Sequence, residues 1–233
     1  MTCSSSLTDN PGPLVLDTSV LINLHACTYG ERILMAIPND ILVPQIVAEE
    51  LEHETSRRNG DYNFLHGLAA SGKVTLADMT DEEYEIFYQL TSSSPSLDDG
   101  EAATIAIAVT RHLLPVIDER KGRARAIALM ETREPDWSLD ILRHPLVTAD
   151  LGDQAAVEAL YLALRDGRMR IPSEITDYVI ALIGMGRAID CTCLPGYRER
   201  FSPGKGVLEV RERGRLRAIA SGSGVLGPGS GRC

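Results

Sequence analysis

The sequence predicts an α/β domain with a mostly parallel central sheet flanked by helices in three layers. Two features carry that reading. Short apolar runs without polar relief, at 14–16, 41–43 and 113–117, have the character of strands buried on both faces, and they alternate with segments of helical spacing. The first and last of these runs end at Asp17 and Asp118. In a parallel sheet those strand ends share one edge, and open α/β sheets bind ligands outside it.

The elements follow in order. Residues 1–13 are Ser/Thr-rich and are expected to be flexible, with neither the basic start nor the apolar core of a signal peptide. Strand 14–16 stops at Asp17, and Thr18 or Ser19 can then cap a helix whose apolar positions are Val20, Leu21 and Leu24. A segment at 30–37 ends at Pro38. Strand 41–43 leads through Pro44 into a helix over 45–55, where proline suits the first turn because its missing N–H would find no partner there. Residues 61–70 read as a short amphipathic helix, 73–79 alternate like an edge strand, and 81–90 form a helix begun by Thr80 or Asp81 with acids in its first turn. The helix over 102–112 is rich in Ala and Ile and is expected to be buried on most sides. Strand 113–117 is followed by a helix at 121–130, an irregular or partly helical stretch at 131–144, a last strand at 146–148, and closing helices at 152–164 and 173–183. Eight of the 20 glycines lie beyond Phe201, so 202–233 is expected to be a disordered tail, leaving 14–201 as one domain.

Composition narrows the function classes. A net charge of −10 suits neither a phosphate-gripping surface nor a protein held to nucleic acid by charge alone, unless a metal ion supplies positive charge locally. Residues 187–233 run against the trend, with nine Lys/Arg and four Asp/Glu. No run approaches the ~18 apolar residues of a membrane span. The five cysteines are scattered, with no second pair or nearby histidine to complete a zinc site beside Cys191 and Cys193, and read as reduced thiols of a cytoplasmic protein.

Four acids form the candidate site. Asp17 and Asp118 close strands, Glu50 shares the helix face of Ile46 and Val47 whereas Glu49 and Glu52 face out, and Glu101 opens the Ala/Ile helix after Gly100. An acid on an apolar stripe is costly unless it is paired or metal-bound. Several carboxylates with no matched cation invite Mg²⁺ or Mn²⁺, which prefer hard oxygen ligands, and such ions suit phosphodiester hydrolysis. Taken singly, each acid reads more readily as a helix cap or part of a solvated face; the four together favour the metal site. Arg120, Lys121, Arg123 and Arg125 lie at the start of the helix after Asp118, where cations oppose the macrodipole, and the first three are candidates for RNA phosphates. Trp137 is a candidate anchor for the irregular stretch around it.

Four motifs resemble those of PIN-domain nucleases, in that family's order and spacing. They are Asp-Thr-Ser-Val-Leu-Ile at 17–22, Val-Pro-Gln-Ile-Val-Ala-Glu-Glu-Leu at 43–51, Asp-Asp-Gly-Glu-Ala at 98–102 and Ile-Asp-Glu-Arg-Lys-Gly-Arg at 117–123. The resemblance spans about residues 14–201 and is nearest to a longer bacterial group related to VapC toxins. It implies a PIN-like fold and a Mg²⁺- or Mn²⁺-dependent endoribonuclease, the toxin of a toxin–antitoxin pair. Asp17, Glu50, Glu101 and Asp118 would be its acidic set, with Ser19, Asp98 and Glu119 as auxiliaries. It further implies an RNA substrate, a cognate antitoxin and a homodimer. The stretch 131–145 is longer than the family pattern, and 148–152 carries Asp150 where a threonine is usual. The alternative is a catalytically inactive PIN-like module that binds RNA or protein. A receiver domain also gathers acids at strand ends, but it needs a lysine at a later strand end, and none is present.

Overall fold

A computed structural model describes residue 7 and residues 11–131 and 133–201 of the chain. It divides into two compact units, Met1–Pro195 and Gly196–Cys233. Within the second, the described part is one short helix, Tyr197–Phe201; the tail expected over 202–233 lies outside the described residues.

The first unit is built on four strands: β1 (Leu14–Leu16), β2 (Ile41–Pro44), β3 (Val74–Ala77) and β4 (Leu114–Val116). They pair in the order β3-β2-β1-β4, all parallel. β3 is at the edge, as its alternation predicts. From β1 the chain steps outward to β2 and β3, then returns to the far side of β1 as β4. The strand order therefore reverses between β1 and β4, and at such a switch point a crevice opens outside the carboxyl ends. Leu16 lies opposite Val116, so Asp17 and Asp118 emerge side by side at that crevice.

Helices cover the sheet. The crossover from β1 to β2 carries α1 (Thr18–Ala26) and α2 (Gly30–Ala36), and that from β2 to β3 carries α3 (Gln45–Glu50), α4 (Glu54–Asn59) and α5 (Asp61–Ala70). Next come α6 (Asp81–Ser92), α7 (Asp99–Thr110) and α8 (Arg120–Met130). The remainder are α9 (Ser138–Leu142), α10 (Pro145–Leu151), α11 (Asp153–Arg165), a 3₁₀ turn (Ser173–Ile175), α12 (Thr176–Ile183) and α13 (Met185–Ala188). Every residue of α7 from Gly100 to Ala108 is buried, because this helix packs on α6 and across β1, β2 and β4. That explains its lack of a polar face. Ala102, Ala103, Ile105 and Ala106 join Phe87, Leu90 and Ile117 in one core, while Ile107 and Ala108 meet Val15 and Ala77 in another. Burying leucines as completely as Leu14, Leu16, Leu21 and Leu24 stabilises by about 2 kcal/mol each relative to exposure.

Two sequence expectations require correction. The helix expected over 45–55 stops at Glu50, and a separate α4 starts after His53. Residues 52–59 are entirely polar, so nothing draws that turn onto the core, and α4 buries none of its residues. The strand expected at 146–148 is part of α10. Pro145 occupies the first turn, the His144 ring accepts from Leu146 N at 3.2 Å, and only Val147 of the three is buried. Three residues, two of them apolar, are too few to separate the two periods. The position beyond β4 is taken instead by Asp136, in a single parallel bridge to Val116. Pro115 is tolerated in β4 because its carbonyl, not a missing N–H, takes the bond there, from Asp136 N at 3.0 Å. No helix among the described residues is long and apolar enough to cross a membrane.

Candidate active site

Asp17, Ser19, Glu50, Asp98, Glu101, Asp118 and Glu119 line one cleft of about 370 Å³ at the switch point. Its other walls are Thr18, Ile22, Asn23, Gly167, Arg168 and Arg170. The size is that of a small-ligand pocket. A cleft of about 450 Å³ beside the C-terminal ends of α7 and α8 carries His112, Glu131 and Arg133 among apolar neighbours and gathers no acid cluster.

Asp17 is both a helix cap and a cleft acid. Its Oδ2 accepts from Ser19 N at 3.3 Å and Ser19 Oγ at 2.7 Å. Burial pushes its carboxyl up to about 7, against those bonds and with help from the charge of Asp98. Asp118 is held from both sides, Oδ1 accepting from Ser138 N at 2.8 Å and Oδ2 from Asn23 Nδ2 at 2.7 Å. Burial raises it to about 6; Ser138, Arg123 and Asn23 oppose the rise. Ser138 is the first residue of α9, so the long stretch 131–145 serves to orient Asp118.

Glu50 is half-buried and Glu49 exposed, as the helix face predicts. Thr18 Oγ1 donates to Glu50 Oε2, and Gly100 N donates to Oε1 at 2.9 Å. This carboxylate thus ties α1, α3 and α7 together. Gly100 makes the approach possible, since a Cβ there would stand 2.6 Å from Glu50 Oε2 and 2.7 Å from Thr18 Oγ1. Burial raises the Glu50 pKa against those two donors. Asp98 caps α7, accepting from Glu101 N at 2.9 Å.

Glu101 is the acid with an unsatisfied oxygen. It is 3 % exposed, and its Oε1 is buried with no hydrogen-bond partner. Burial, then the charges of Asp98 and Asp17, push it up to about 8, while Lys121 and Arg170 pull it back. A buried carboxylate oxygen left unpaired is expensive, and a cation would satisfy it. Among the described residues, no group of three His, Cys, Asp or Glu side chains closes around an ion by itself. Mg²⁺ does not require that, because it keeps several waters and commonly takes only one or two carboxylates. The all-oxygen donor set and the unsatisfied Glu101 oxygen fit such an ion.

The proposed phosphate contacts sort differently. Arg120 and Lys121 are exposed, and Lys121 donates to Ser96 O at 2.6 Å. Arg123 is a correction: it is 8 % exposed and turned into the domain. It donates to Ile117 O at 3.1 Å and Asp136 O at 2.9 Å, and lies 3.9 Å over the Trp137 ring. Both bonds come from Nη1 and tie the 131–145 stretch to the end of β4, and burial keeps the guanidinium away from a phosphate on the surface. Trp137 is the anchor its position suggests. Sequence reasoning missed Thr18, Asn23 and Ser138, whose partners are far away in the chain. It also missed Arg168 and Arg170, although the alternation Arg-Met-Arg-Ile at 168–171 was a usable signal.

Comparison with known proteins gives one family: a sequence model described as PIN domain matches residues 13–184. No curated protein and no solved structure matches the chain.

Proposed function

The chain belongs to the PIN-domain family, and from that premise we propose that it is a metal-dependent endoribonuclease and the toxin of a toxin–antitoxin pair. The observation that carries the reading is the cleft itself, with Asp17, Glu101 and Asp118 buried together and the Glu101 Oε1 unsatisfied. Asp17, Glu101 and Asp118 would hold Mg²⁺ or Mn²⁺, with Glu50 at the rim. When bound, such an ion lowers the pKa of water and screens charge on the phosphoryl oxygens.

The chain's own residues prepare that chemistry. Ser19 fixes the Asp17 oxygen, and Asn23 with Ser138 fixes both oxygens of Asp118, so neither carboxylate must be ordered when a ligand arrives. Without a cation the Glu101 carboxyl retains a proton at neutral pH, and a cation has to displace it. Glu50 keeps α1 and α7 at the spacing that forms the cleft.

Cleavage of a single-stranded RNA with Mn²⁺ and with chelator tests the reading. Wild type is expected to cut only with Mn²⁺, leaving 5′-phosphate and 3′-hydroxyl ends. Asp118→Asn is expected to lose most turnover with an unchanged far-UV spectrum, and Glu49→Gln to cut like wild type. Full activity of Asp118→Asn contradicts the mechanism, and RNA binding with no cleavage favours the inactive binding module. Growth arrest on induction in a bacterial host, relieved by the product of a small adjoining gene, tests the toxin role. Light scattering tests the proposed homodimer.

A further inference from the structure

The segment leaving α11 runs along the wall of the acid cleft. Gly167 packs so close that a Cβ there would stand 2.7 Å from Asn23 Oδ1 and 2.8 Å from Ala163 O. Asn23 is the residue whose amide holds Asp118, so this segment is docked on the Asp118 side of the site. From there the chain alternates. Met169 and Ile171 are buried, 1 % and 5 % exposed, and Met169 N donates to Ala163 O at 3.0 Å. Arg168 and Arg170 are exposed and line the cleft.

They are its only basic lining residues among those described. Arg170 is ion-paired to Glu119; Arg168 carries no ion pair among the described residues. The Arg170–Glu119 pair is partly exposed, with side chains 58 % and 37 % accessible, so it is weak and exchangeable. Arg168 has φ +58°, a left-handed backbone uncommon outside glycine, in a segment pinned by its apolar neighbours on the next position. That conformation holds the Arg168 side chain, exposed and without an ion pair among the described residues, at the rim of the acidic cleft.

We propose that Arg168 and Arg170 form a two-arginine phosphate clamp that grips the backbone of a single RNA strand across the acid cluster, with Glu119 occupying Arg170 until substrate displaces it. The inference rests on the nuclease reading above. Its logic is charge balance: carboxylates that attract a cation repel a phosphodiester, and a chain of net charge −10 offers no general attraction. Two guanidinium forks supply it locally, and their planar donors match phosphate oxygens two at a time.

Equilibrium binding of a fluorescent single-stranded RNA dodecamer, in EDTA and at several KCl concentrations, tests the clamp without any turnover. Arg168→Gly and Arg170→Ala are each expected to weaken binding about tenfold, the loss of one charge-assisted contact. Each should lower the slope of log affinity against log salt by about 0.7. Arg168→Gly removes the charge and relieves the backbone together, so its melting temperature should not fall while its affinity does. Glu119→Gln frees Arg170 and should tighten binding. Arginine variants that bind with wild-type affinity and slope, while wild type still cuts RNA, overturn the clamp and leave the nuclease reading intact. A wild type that neither binds nor cuts RNA overturns the nuclease reading, and the clamp with it. Weaker binding by Glu119→Gln would show that the ion pair supports the segment's shape, and the displacement by substrate is then wrong.

Discussion

Asp17 carries two duties that pull against each other. As the cap of α1 it accepts from Ser19 N, a role asparagine fills about as well. As a buried acid beside Asp98 it is held near 7, far above the ordinary 3.8. The same holds for Asp118 at about 6 and Glu101 at about 8. Because these pKa values are raised on folding, the folded protein binds more protons than the unfolded chain between pH 4 and 8. The associated stability is fully present below the unfolded values and is lost as pH rises through the folded ones. In chelator the protein should therefore melt lower at pH 8 than at pH 5, the reverse of a protein stabilised by carboxylate salt bridges. Asp17→Asn removes one charge and keeps the cap, so it should be inactive yet melt higher than wild type at pH 8 in EDTA, with the gain shrinking in saturating Mg²⁺. Melting curves at both pH values decide this. A clearly less stable Asp17→Asn in EDTA would mean that Asp17 acts mainly as a cap. The four acids were legible because each sits at a strand end or on an apolar helix face. Their supports were not, since Asn23 lies 95 residues from Asp118 and Gly100 50 from Glu50. No local pattern encodes such pairs.

Between elements, a buried polar link away from the cleft joins α6 to the end of α7. Glu83 is fully buried, completes a capping box with Thr80, and accepts from Arg111 Nε at 2.7 Å and from its Nη2 at 2.9 Å. Its carboxyl is held below the ordinary range by Arg111 and Thr80 despite burial. Arg111→Met strands that carboxylate. The cost expected for a broken buried pair is about 3–5 kcal/mol, and toward the lower end here because the Arg111 side chain is about one-third accessible. Urea unfolding at pH 7 measures it, and a change within a few tenths of a kcal/mol would show the pair to be solvated. Element order was legible where the pattern was distinct, in the alternation that gives the edge strand β3 and in the long Ala/Ile run that gives the buried α7. It failed where runs were short. Leu-Val-Thr at 146–148 reads as strand until Pro145 is given weight as a helix start, and Arg123 reads as a surface cation until Trp137 and Asp136 close over it.

At the scale of the whole molecule, the fold reverses strand order between β1 and β4, and the acids gather at that reversal. On the proposed reading, a chain of charge −10 would owe any affinity for RNA to local devices, a cation among the acids and Arg168 and Arg170 in the same cleft lining. The stability given up by burying acids together is what a bound ion would recover, a common exchange of stability for function. Ion and protons compete for the same oxygens, so cation binding should strengthen from pH 6 to pH 8 and release protons as it does. Calorimetric titration of Mn²⁺ into wild type and Glu101→Gln, at both pH values, addresses this most directly. Saturable binding to wild type that is tighter at pH 8, and binding that is severely weakened in Glu101→Gln, are expected. No saturable site in wild type, or equal binding by the two proteins, would contradict the proposed metal site.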